Sequence, residues 1–71
     1  MEEIIIRDEY IKLGQALKLA GMVGQGTDAK YVISEGMVKV NGNVAYERGK
    51  KCRVDDIIEF NGEKVIIKNA H

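Results

Sequence analysis

The sequence contains no proline, one cysteine and one histidine. A lone cysteine closes no internal disulfide, and without a His/Cys cluster no structural metal is expected. The histidine is His71, the last residue of the sequence, so Asn69-Ala70-His71 is expected to be a frayed tail and a poor place for a catalytic base. No apolar run approaches the roughly 20 residues of a membrane helix. No signal-peptide pattern, repeat or low-complexity linker is evident. Charge of either sign is not in excess: 11 Lys and Arg stand against 11 Asp and Glu, which excludes simple polycation behaviour. The length of 71 residues predicts one domain over residues 1–71, with its core expected at about 8–60. The absences predict a cytoplasmic location, no cofactor, no metal and no membrane contact. In 71 residues only a modest core can form, and here it must be aliphatic, rich in Ile and Val.

The chain is organised around the stretch from Gly26 to Gly42. Thr27 is a candidate N-cap, able to accept bonds from the free N–H groups of a first helical turn. Ala29, Val32 and Ile33 follow at the spacing of one helix face. Gly36 can adopt the left-handed conformation that ends a helix. Val38 and Val40 then alternate with Lys39 and Asn41, the period of a half-buried strand. Asn41-Gly42 is a hairpin signal, because both central turn positions need positive φ.

Around this unit the rest reads in order. Glu2 to Arg7 is a short strand, and three adjacent isoleucines, Ile4 to Ile6, predict partial cover on both faces. Asp8 is a candidate N-cap for a first helix, with Glu9 suited to the positive end of its dipole. Tyr10, Leu13, Leu17 and Ala20 should face the core, while Lys12, Gln15 and Lys18 lie off that stripe. Gly14 either lets another backbone approach or is a tolerated defect costing about 1 kcal/mol. Met22 and Val23 should plug the core between the helices. Val44 to Glu47 is short and partly strand. Arg48 to Arg53 is a basic turn, Val54 to Asp56 another. Two strands, 57–60 and 64–68, flank Asn61-Gly62, a second hairpin signal. The order predicts an α+β domain: two short helices packed on a small antiparallel sheet.

Catalysis is not expected, because no converging set of acid, base and nucleophile is present. Cys52 lies between Lys51 and Arg53, which favour a thiolate, but no internal histidine can serve as its base, and the core is the expected place for it. Asp55-Asp56 reads as a turn former rather than a metal site. The glycines from Gly21 to Gly26 resemble a phosphate loop only faintly. A Walker loop requires Lys directly after its last Gly, whereas Thr27 stands there and Lys30 comes too late. Such a loop at a helix N-terminus can still hold one phosphate through backbone N–H groups.

The charge distribution is more informative than its total. Between Lys30 and Arg53 six basic residues stand against two acids, a local excess of +4 balanced by −4 elsewhere. Such a field steers anionic partners; it is equally the composition of an ordinary solvated surface. Nucleic-acid binding is the chemistry it suits. Lys12 and Lys18 can contact phosphates. Thr27 and Lys30 combine a hydroxyl, a cation and a helix dipole. Tyr31 lies off the apolar face, where it either stacks on a base or packs partly on the sheet. Lys39 and Asn41 point away from Val38 and Val40. Arg48, Lys50, Lys51 and Arg53 form a basic loop able to follow a phosphate backbone.

These residues also resemble a known family. Ala29-Lys30, Ile33, Gly36, Val38, Val40 and Asn41-Gly42 are similar to the RNA-binding domain named after ribosomal protein S-four. The segment Tyr10 to Lys18 and the run Arg48-Gly49-Lys50-Lys51 resemble its small stand-alone bacterial members. The resemblance, over roughly Ile4 to Phe60, implies the S-four-like fold with its alpha-L motif and binding to structured RNA, ribosomal or tRNA, with the ribosome as a possible partner. It implies an RNA face at the starts of both helices and the adjoining strand and loop, which here means Lys12, Gln15, Thr27, Lys30, Lys39 and Asn41. Two family features are replaced: Arg-x-Asp at the first helix reads Lys12-Leu13-Gly14, and Ser-Arg before the second reads Gly26-Thr27.

The expected function is therefore that of a non-catalytic, monomeric RNA-binding protein. A second reading is a protein-interaction adaptor with an apolar patch around Met37, Val44 and Tyr46. A DNA-binding helix-turn-helix ranks below both, because the second helix lacks polar base-reading residues.

Overall fold

The computed structural model describes residues 1–24 and 26–70, with the side chains of Gly26 and Thr27 excepted. The elements run β1 (Glu2–Ile6), β2 (Ile11–Lys12), α1 (Leu13–Leu19), α2 (Gly26–Ser34), β3 (Val38–Val40), β4 (Asn43–Val44), β5 (Lys51–Cys52), β6 (Ile57–Phe60) and β7 (Glu63–Asn69). A five-stranded sheet has the order β1-β7-β6-β3-β4, and β2 pairs with β5 in a separate two-stranded ribbon. The sheet is antiparallel except at one edge, where β1 runs parallel to β7.

One face of the sheet carries the core. Ile4, Ile6, Val38, Val40, Ile58, Val65 and Ile67 are buried on it, together with Leu13, Ala16 and Leu17 of α1 and Ala29, Val32 and Ile33 of α2. Strand alternation explains the selection, since residues two apart point to the same side. Met22, Val23 and Ala20 pack against this core from the connector, as their position between the helices implies.

Both Asn-Gly pairs form the turns their chemistry demands. Asn41 and Gly42 have φ of 52° and 85°, and Asn61 and Gly62 have 54° and 81°. Gly36 closes α2 with φ of 76°. The Gly36 N–H donates to the Ile33 carbonyl and that of Met37 to the Val32 carbonyl, which satisfies carbonyls the helix end would otherwise leave bare. The capping role expected of Thr27 lies outside the described side chains, and the reading of the loop around Gln25 as a phosphate holder lies partly outside the described residues.

Four expectations are corrected. Asp8 does not cap α1. The cap position belongs to Lys12, in an extended conformation with no side-chain cap bond and no acid in the first turn. The reason is the ribbon: β2 pairs with β5, so the helix begins where the pairing ends. Its free N–H groups are met by another backbone, Leu13 donating to the Lys50 carbonyl at 2.9 Å and Gly14 to the Arg48 carbonyl at 3.0 Å. Tyr10 consequently precedes the helix rather than lying on its core face. Ile5 is 52 % exposed, so the isoleucine strand is covered on one face only. The expected tail is not frayed at Asn69 and Ala70, because Asn69 stands in register with Ile6 and the Ala70 N–H donates to the Ile6 carbonyl at 2.9 Å. His71 lies outside the described residues.

Candidate nucleic-acid interface

The ribbon brings together residues far apart in sequence. Ile11 stands opposite Cys52 and Lys12 opposite Lys51. Cys52 points inward and is fully buried, which sends its neighbours Lys51 and Arg53, with Lys12, to the outer side. Tyr10 lies on that side too. The Lys51 ammonium sits 4.9 Å from the centre of its ring and the Arg53 guanidinium 5.8 Å, within the range at which a cation is drawn to an aromatic face. Two lysines directly across a ribbon repel one another, so this arrangement does not serve stability. It presents two cations to whatever lies in front.

Two of the clefts that adjoin the ribbon gather most of its neighbouring cations. The first, about 300 Å³, is lined by Lys12, Gln15, Lys18 and Arg48 around Gly14, Ala29 and Gly49. The Arg48 backbone does approach Gly14, whose N–H it receives at 3.0 Å, but a Cβ at Gly14 would stand 3.5 Å from the Arg48 Cβ and 3.6 Å from its carbonyl oxygen, ordinary contact distances, so the approach does not require a glycine. The second cleft, about 600 Å³, includes Lys50, Lys51, Arg53, Asn41 and Tyr46 on its walls. Lys12 borders one cleft and its register partner Lys51 the other.

Among the described residues the only salt bridge joins Lys68 to Asp55, at 3.0 Å. The cations of both clefts therefore have no carboxylate partner among those residues and remain available to an external anion. Asp56, which borders the second cleft, is occupied locally. Its Oδ2 accepts the Arg53 backbone N–H at 2.8 Å and its Oδ1 accepts the Asn41 side-chain amide at 3.0 Å. Asn41 in turn accepts the Ile57 N–H on its Oδ1 at 2.9 Å. This confirms the turn-forming role of Asp55-Asp56. It also commits the Asn41 amide to the fold at both ends.

The remaining candidates are distributed more widely. Lys30 and Tyr31 are on the exposed side of α2, Tyr31 being 61 % exposed. Lys39 lies on the outer sheet face, in register with Glu59 of β6 and Val44 of β4. None of these three borders either cleft. Cys52 is buried and its thiol is held in the protonated form. Burial pushes its thiol up to about 11, the charge of Asp56 adding to the effect and that of Lys50 opposing it. The thiol donates weakly to the Lys50 carbonyl at 3.8 Å. No group of His, Cys, Asp and Glu among the described residues is arranged to hold a metal. No helix there is long and apolar enough to cross a membrane.

Two side chains escaped sequence reasoning as parts of this face. The helical spacing of Tyr10 to Leu13 and Leu17 predicts a core position, yet the ribbon precedes the helix and turns Tyr10 outward. The sequence places Tyr46 only in an apolar patch, because nothing in it ties Tyr46 to Lys50 and Arg53 across the turn.

The family model described as the S4 domain matches residues 4–68. The chain is 44 % identical over 59 residues to a probable ribosome maturation protein, RlbA, of Bacillus subtilis (strain 168), covering 83 % of each chain. It is 38 % identical over 58 residues to YbcJ of Escherichia coli (strain K12), named as a putative RNA-binding protein, covering 79 % of this chain and 80 % of that one. The solution structure of E. coli YbcJ, described as having an αL motif involved in RNA binding, superposes with a TM-score of 0.74 at 30 % identity, over 96 % of this chain and 87 % of the other. The 30S ribosomal protein S4e of Thermoplasma acidophilum gives a TM-score of 0.62 at 27 % identity, over 82 % of this chain but only 31 % of that longer one.

Proposed function

The chain belongs to the S4 domain family, and from that membership we propose that it is a non-catalytic RNA-binding protein that holds structured RNA, ribosomal or tRNA, along the β2–β5 ribbon and its two clefts. The observation that carries this reading is the pair Lys12 and Lys51, set directly opposite each other with no carboxylate partner among the described residues. A fold tolerates such a pair when an anion neutralises it, and the phosphate backbone is the anion that the names of RlbA and YbcJ suggest. Lys18, Arg48, Lys50 and Arg53 extend the line of charge on either side, with Gln15 as a neutral hydrogen-bonding group beside it. Lys30, Tyr31 and Lys39 add contacts at the flanks, and the two lysines also attract the RNA from a distance; the contact expected of Thr27 rests on a side chain outside those described. Recognition is by shape and backbone, since few of these side chains suit base edges. The protein works as a monomer in the cytoplasm and engages the ribosome or its RNA during maturation.

The experiment is a salt titration of binding to a structured RNA, with duplex DNA of equal length as the control. RNA should bind better, and log affinity should fall linearly with log salt. Lys50→Glu and Lys51→Glu should weaken binding to every RNA tried. Unchanged affinity in those variants would remove this face from consideration. Binding of neither nucleic acid at low salt would redirect attention to protein partners of the Val44 and Tyr46 surface.

A further inference from the structure

The two clefts differ in chemistry. The first offers cations and an amide but no aromatic ring. The second offers Tyr46 together with Lys50, Lys51 and Arg53. Tyr46 is 66 % exposed, yet it is not loose. One edge of its ring is seated on Gly36, where a Cβ would stand 3.2 Å from Cε1 and 3.6 Å from the hydroxyl, with Val44 Cγ1 3.6 Å from the same point. A ring held at one edge and bare elsewhere is a stacking platform, already ordered and so cheap to use. The acids beside it are Glu47 and Asp56. The Arg53 N–H and the Asn41 amide hold both carboxylate oxygens of Asp56 in place without removing its charge, so three cations stand against two acids and the cleft keeps a net excess of one positive charge. The volume, about 600 Å³, falls within the range of small-ligand clefts.

We infer that the second cleft receives one unpaired nucleotide, its base stacked on Tyr46 and its phosphate held by Lys50, Lys51 and Arg53. The inference rests on the RNA-binding reading above and narrows it to a class of RNA: a helix with an unpaired nucleotide beside it. The phosphates of the paired stem run past Lys18, Arg48 and Lys12, and the chain then crosses the ribbon at Lys51, where the unpaired base turns toward Tyr46. A fully paired helix fills only the first part of this path. An apolar peptide is a poorer occupant, because it would cover Lys50, Lys51 and Arg53 without offering them an anion or a hydrogen-bond acceptor in place of water.

The experiment compares two hairpins with identical stems, one fully paired and one with a single bulged 2-aminopurine. Affinity and 2-aminopurine fluorescence are read for the unaltered protein, Tyr46→Phe and Tyr46→Leu, each checked for folding by circular dichroism. The unaltered protein and Tyr46→Phe should bind the bulged hairpin about tenfold more tightly than the paired one, the scale of one base stacked on an aromatic ring, and should quench the fluorophore. Tyr46→Leu should bring the bulged hairpin to the affinity of the paired one and abolish the quenching, with the paired affinity unchanged. Should Tyr46→Leu fail to fold, the preference and quenching shown by the unaltered protein and Tyr46→Phe still decide. Equal binding of both hairpins by the unaltered protein, or a preference that survives Tyr46→Leu, overturns the inference while leaving RNA binding intact. Binding of neither hairpin at low salt overturns both readings.

Discussion

Asn41 ties two distant turns together at the level of a single side chain. Its amide donates to Asp56 and its carbonyl oxygen accepts from Ile57, and its backbone has a φ of 52° that Asn tolerates better than most residues. Asn41→Ala removes both bonds and keeps the strained backbone. The expected loss is about 2 kcal/mol of stability, measurable as a lower urea midpoint at unchanged slope. Cys52 supplies a second test. Its thiol rises from 9.0 to about 11 on folding. The unfolded chain therefore releases this proton first, and between those values the folded state binds more protons. Stability should then fall as pH rises from about 9 to about 11, a decline that Cys52→Ala should flatten in denaturation curves taken across that range. Below pH 9 the thiol should resist alkylation until the protein is unfolded.

The β2–β5 ribbon is the element on which the proposed RNA binding and stability make opposite demands. Only two residues long on each side, it carries Lys12 facing Lys51, an unfavourable cross-strand pair. Lys12→Glu converts repulsion into attraction. The variant should gain roughly 0.2–1 kcal/mol in stability and bind RNA less tightly, a combination read from thermal unfolding and a binding titration on the same sample. A loss of both would mean that the lysine is structural. The ribbon also replaces a side-chain cap. Backbone carbonyls of Lys50 and Arg48 receive the first N–H groups of α1, so the helix start is fixed by the same loop that supplies the cations. Movement of that loop would displace the helix and the charges together.

Across the whole molecule, zero net charge coexists with a concentrated basic face. The first cleft has no acid on its walls and the second has Glu47 and Asp56 beside three cations, and the one ion pair among the described residues, Lys68 with Asp55, is made outside the set of candidate RNA-binding cations. The salt dependence of RNA binding should therefore reflect local contacts and not total charge. Combining Lys12→Ala with Lys51→Ala should reduce the slope of log affinity against log salt by about 2. Lys39→Ala, on the outer sheet face opposite Glu59, should change affinity less than about twofold. An equal effect of Lys39→Ala would place the RNA across the sheet and not the ribbon.

The sequence by itself determined the local chemistry. Gly36, Asn41-Gly42 and Asn61-Gly62 mark their turns because positive φ is a property of the residue and its nearest neighbours. The alternation around Val38 and Val40 and the helical spacing of Ala29, Val32 and Ile33 mark the core for the same reason. The family was legible in that same stretch. What depends on contacts between distant residues was not. Tertiary structure alone decided that Ile11 and Lys12 leave the first helix to pair with Cys52 and Lys51, since a ribbon of two residues per strand has too little periodicity to read. It alone turned Asn69 into a strand residue, through a parallel partner some sixty residues earlier in the chain. It alone brought Tyr46 beside Lys50 and Arg53, because the walls of a cleft are set by how elements pack and not by any one element's sequence.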